Sequence, residues 1–86
     1  MIKTSEELEL LAENDYTFYS KLTMPIVEKM KVIREKSGNE RARVRGTLHF
    51  VRELKDFFPG FNKTHYFTAA SSMAESYLEE IKLGNY

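Results

Sequence analysis

Between residues 4 and 84 the chain repeats one pattern four times: apolar residues three and four apart, then a stop at proline, glycine or a polar pair. That spacing lines side chains along one face of an α-helix and does not suit a strand, whose faces alternate every second residue. Thr4-Ser5-Glu6-Glu7 opens the first pattern. Thr4 is placed to cap free amides, Glu7 to complete a capping box, and the acids suit the positive end of the helix dipole. Leu8, Leu11, Ala12, Tyr19 and Leu22 follow with Phe18 beside them. The spacing predicts a helix over about 5–22 with a weak point at Asn14-Asp15. Pro25 comes next; it is harmless in a first turn and disruptive in a helix interior, so it either separates two helices or kinks one.

A second helix is expected over about 24–36, capped by Thr23, with Ile26, Met30 and Ile33 on one face and Val27 at its edge. Gly38 suits the left-handed position after its last turn, where Arg34 and Lys36 favour the negative end of the dipole. Asn39 or Ser37 caps a third helix over about 40–58, whose expected apolar stripe is Val44, Leu48, Val51, Leu54 and Phe58, widened by Phe50 and Phe57. Pro59-Gly60 stops it. Asn62 or Thr64 starts a fourth, over about 63–83, with Tyr66, Ala70, Met73, Tyr77 and Ile81 in line and Phe67, Ala74 and Leu78 flanking. The expected fold is all-α: a compact three- or four-helix bundle forming a single domain over 1–86.

Five tyrosines and six phenylalanines in 86 residues argue against disorder and for one domain able to fold alone. The absence of cysteine excludes disulfides and thiolate metal sites. The N-terminal residues enter an acidic amphipathic stretch directly, without the apolar core of a signal peptide. No apolar run approaches the roughly 18 residues of a membrane span. A cytoplasmic location without membrane contact is the expectation.

The chain is neutral overall, with 13 basic and 13 acidic residues, but the charges are segregated. Residues 1–20 carry one lysine against five acids, residues 21–55 ten basic residues against four acids, and residues 56–86 two lysines against four acids. All five arginines lie at 34, 41, 43, 45 and 52. With Val44 at 0° on the third helix, Arg41, Arg52 and Arg45 fall near about 60°, 80° and 100° and His49 near 140°, with Lys55 at the edge. Arg41, Arg45 and Arg52 therefore form one stripe, expected beside the core face. Arg43 falls within the apolar arc, where it must snorkel or pair with an acid. The charge order permits two arrangements: acidic ends neutralising the basic middle within one molecule, or a basic middle facing an acidic partner.

Phe57-Phe58-Pro59-Gly60-Phe61 places three phenylalanines around one turn, an aromatic corner expected to supply an interface. The stretch Thr68-Ala69-Ala70-Ser71-Ser72-Met73-Ala74 would let another helix approach closely, within the bundle or from a second copy. No catalytic grouping stands out. His49 with Glu53 offers two ligands where a stable metal site needs three or four, and Ser71, Ser72 and Ser76 have no base nearby in sequence. Glu75, Glu79 and Glu80 could hold a metal only with a matching acidic pair, for which Glu6, Glu7 and Glu9 look like a solvated first turn. No cofactor, metal or enzymatic activity is expected.

The reading favoured by the sequence is a small protein–protein interaction module. It self-associates or binds an acidic protein partner through Arg41, Arg45, Arg52, Lys55 and His49, with Phe57, Phe58 and Phe61. A nucleic-acid or nucleotide-phosphate binder using the same arginines is the alternative; neutrality and the absence of a glycine-rich phosphate loop count against it. Small helical chains without catalytic motifs also fit the size class of phage or mobile-element accessory and inhibitor proteins.

Overall fold

The computed structural model describes residues 4–86; Lys3, counted above with the acidic segment, lies outside them. Helices α1 (Ser5–Asn14), α2 (Tyr16–Phe18), α3 (Met24–Ser37), α4 (Asn39–Phe57) and α5 (Lys63–Lys82) build an all-α bundle, with no strand among the described residues. A π-helical turn, Tyr19–Thr23, joins α2 to α3.

Thr4 caps α1 as expected, its hydroxyl accepting the Glu7 amide at 3.1 Å. The chain breaks at Asp15, which turns extended and accepts the Phe18 amide on its own carboxylate at 2.8 Å. One residue thus ends α1 and caps α2, the double role that makes Asx residues helix punctuators.

At Pro25 the structure resolves the open alternative differently from a capped new helix. Helical backbone runs on through the proline, and Thr23 makes no capping bond. The Met24 amide reaches back five residues to the Tyr19 carbonyl, widening the turn just before Pro25. A proline ring in a regular α-helix clashes with the carbonyl four residues earlier; a π turn relieves that crowding where the N–H is missing anyway. Thr23 is buried and its hydroxyl has no hydrogen-bond partner among the described residues. An unsatisfied buried hydroxyl costs about 1–3 kcal/mol. Thr23→Val is therefore expected to stabilise the protein by about 1 kcal/mol, seen as a rise in melting temperature of about 4–8 °C. An unchanged or lower melting temperature would show that the hydroxyl is satisfied in solution.

Gly38 alone separates α3 from α4, at φ +95°. The side chain of Asn39 does not cap α4; it accepts the Arg34 Nε–H at 2.6 Å. The two helices form a tight hairpin, with Met30 and Gly46, equidistant in sequence from Gly38, against each other. Asn62 caps α5, accepting the His65 amide at 2.8 Å. Gly84, at φ +82°, closes α5: its amide bonds the Ile81 carbonyl and the Asn85 amide the Glu80 carbonyl. That pair of bonds is a Schellman closure.

Helix α5 is the centre of the bundle, packing against α4 on one side and α1 on the other. Its core face is Tyr66, Ala69, Ala70, Met73, Ala74, Leu78 and Ile81. The alanines of the small-residue stretch therefore serve packing within the chain. Phe67, expected to flank the core, is exposed, and so is Leu11 of α1.

Candidate interaction surface

The buried residues of α4 are Ala42, Gly46, Thr47, Phe50 and Leu54. On the wheel that begins at Val44 their centre lies about 70° from the expected one. The expected stripe is corrected at two positions: Val44 is 44% exposed and Leu48 57%. Close helix packing selects small side chains at the seam, so Ala42, Gly46 and Thr47 occupy the interior and push two larger aliphatics outward.

This rotation moves the arginines. Arg41, Arg45 and Arg52 do share one stripe, but it faces directly away from the core, and all three are exposed. Val44 and Leu48 border it. Lys55 is exposed at its end, and His49 is half-buried on the side toward α3. Ionisation of His49 is disfavoured first by burial, then by Lys29, Arg45 and Arg52, with Glu53 opposing. Lys29 of α3 thus belongs to the same basic field, a contribution invisible before α3 and α4 are docked. Val32 of α3, also exposed, stands across a shallow groove from Arg45 and His49. A second concavity on the other side of Arg45 is lined by Ser37, Glu40, Arg41, Val44 and Leu48, with Glu40 turned to Arg43 at 3.8 Å. The surface is a basic stripe with Arg45 at its centre, edged by aliphatic groups and carrying Glu28 and Glu40 at its rims.

All ion pairs among the described residues are local: Lys31–Glu28, Arg43–Glu40 and Lys82–Glu79, each three residues apart. The Arg43 pairing at 3.8 Å meets the expectation for that residue. None joins the acidic ends to the basic middle, and among the described residues Arg41, Arg45 and Arg52 have no ion-pair partner.

The aromatic corner is drawn back onto its own domain. Phe18 is fully buried, with the Phe57 and Phe58 ring centroids at 5.3 and 5.4 Å. The Tyr66 hydroxyl donates to the Phe58 carbonyl at 2.6 Å and accepts the Phe61 amide at 3.3 Å, latching the turn. Phe58 and Phe61 pack against the core, and Phe57 keeps an exposed edge.

Three of the acids weighed above have partners. Glu9, expected to be solvated, accepts from the Ser72 hydroxyl at 3.2 Å and ties α1 to α5. Glu79 pairs with Lys82 and Glu80 accepts from Asn85. Among the described residues no three histidines or carboxylates converge on a metal position. No described helix is long and apolar enough to cross a membrane.

At the far end of the bundle the Tyr19 and Tyr86 hydroxyls lie 3.2 Å apart and Tyr86 meets Tyr77 edge-on. Burial, then the charges of Glu13, Tyr19 and Glu9, push the Tyr77 phenol up to about 12. The fold holds Tyr77 neutral, so its contribution to stability is complete below the ordinary tyrosine value of 10.0 and is lost as pH rises toward about 12. In alkaline unfolding followed by circular dichroism, Tyr77→Phe is expected to flatten the decline over that interval. An equally steep decline in the variant would place the sensitivity elsewhere.

No family model, curated protein or solved structure matches the chain.

Proposed function

We propose that this protein is a non-enzymatic interaction module whose α3/α4 face receives an acidic amphipathic protein segment. The observation that carries the reading is the composition of that face: three exposed arginines without an ion-pair partner among the described residues, bordered by exposed Val44 and Leu48. Guanidinium groups recognise carboxylates through paired hydrogen bonds, and aliphatic groups between them suit the apolar side chains of a helix laid across the surface. A phosphate backbone would satisfy the arginines and leave the aliphatics against a charged, hydrated partner, which favours protein over nucleic acid.

The test uses a fluorescent synthetic helix carrying Glu and Leu on one face, alongside duplex DNA of equal charge. The peptide is expected to bind, and Arg41→Glu/Arg45→Glu/Arg52→Glu to weaken it by about tenfold or more, equivalent to about 1.4 kcal/mol or above. All three positions are exposed, so the helical circular dichroism of the variant should match wild type. Tighter binding of DNA, with affinity falling steeply as salt rises, would overturn the reading in favour of nucleic-acid recognition.

A further inference from the structure

We infer that the segment received by the α3/α4 face is the outer face of α1 from a second copy of this chain, an inference that rests on the interaction-module reading above. Helix α1 carries the complementary surface. Leu10 is 59% exposed at the centre of its outward face, with Leu11 beside it. Glu6 and Glu13 flank Leu10 on one side and Glu7 lies on the other. Carboxylates beside exposed leucine on α1 thus match arginines beside exposed valine and leucine on α4. Both faces pair charge with an apolar centre, so association would bury Leu10 and Leu48 together while supplying partners to Arg41, Arg45 and Arg52.

One molecule does not satisfy both faces internally. Helix α1 packs chiefly on α5, whereas the basic face is borne by α3 and α4, and no ion pair links the two within the described residues. The contact is heterologous, acidic face to basic face, and repeats from copy to copy into a closed ring or an open chain. Glu28, on the rim of the α3 groove, is held by Lys31 at 3.8 Å, which limits its repulsion of an incoming acidic helix.

The experiment is light scattering and sedimentation of the full chain from micromolar to millimolar concentration, with two folded variants. One, Arg41→Glu/Arg45→Glu/Arg52→Glu, lacks the receptor; the other, Glu6→Gln/Leu10→Gln, lacks the ligand. Wild type is expected to gain mass with concentration and lose it with added salt. Each variant alone should stay monomeric. Their equimolar mixture should form a dimer and nothing larger, because a single intact contact remains between them. A wild type that is monomeric at millimolar concentration, or a variant that associates as wild type does, overturns the inference. If wild type is monomeric yet the synthetic acidic helix binds, the partner is a foreign segment and the receptor reading stands; if neither associates, both fall.

Discussion

Phe18→Ala is expected to remove about 3–5 kcal/mol of folding free energy, the range for deleting a buried phenylalanine and leaving its cavity. A domain of this size has a total stability of only about 5–10 kcal/mol, so the variant should lose roughly a third of it or more. Phe18 is completely buried. It sits between the Asp15 break and the π turn and touches Phe57 and Phe58 at the far end of α4. Phe57 meets it edge-on and Phe58 at a tilt of 43°, and an edge-on aromatic pair adds about 0.5–1.5 kcal/mol beyond the area it buries. Truncation therefore loses a core side chain and two ring contacts, and uncovers Phe57 and Phe58. Urea unfolding is the measurement. A large fall in midpoint with an unchanged slope is the expected result; a loss below about 1 kcal/mol would mean that the corner repacks without Phe18.

Gly46→Leu is the second large effect, and it runs through overpacking. A Cβ on Gly46 would stand 2.6 Å from the Met30 sulfur and 3.0 Å from its Cγ and Cε. Alanine gains about 1 kcal/mol in helix propensity, which offsets part of the cost of moving a flexible methionine tip. Leucine adds three further carbons at the same seam. Met30 is itself fully buried and has little room to retreat, so α3 and α4 must separate. The expected loss is about 3 kcal/mol, at the upper end for an overpacked core. Met30→Ala supplies the control. Combined with Gly46→Leu it should cost clearly less than the sum of the two single changes, because the leucine occupies the space the methionine leaves. Additive losses would place the strain elsewhere in the seam.

Much of the secondary structure was legible because its signals are local. A threonine cap, an Asn14-Asp15 weak point, a left-handed Gly38, an Asn62 cap and a closing Gly84 act through bonds to residues a few positions away. Each lies where the residue types placed it. Pro25 lies near a helix start as expected, but the Thr23 cap is missing because the π turn before the proline depends on a register shift of one residue, which no propensity encodes. The arginine stripe was legible as a grouping, since Arg41, Arg45 and Arg52 share an angle on any helix. Its orientation was not. An apolar stripe weighted toward Val44 and Leu48 pointed the core too far toward the large aliphatics. A signal to the contrary was present: Ala42, Gly46 and Thr47 cluster on the other flank, where a small-residue seam would lie.

Local chemistry thus settles helix starts, stops and faces in this chain, because capping bonds and side-chain angles need only near neighbours. Which face is buried is a property of the docked helices. Met30 fits over Gly46, the alanines of α5 pack in its buried face, and Phe18 fills the space beside the Phe57-Phe58 turn. Those fits rotate α4 so that its arginines face outward with Val44 and Leu48 beside them. They also bring Lys29 and Val32 to the same surface. A surface made by two helices exists only after they pack, since packing alone sets their relative rotation and depth.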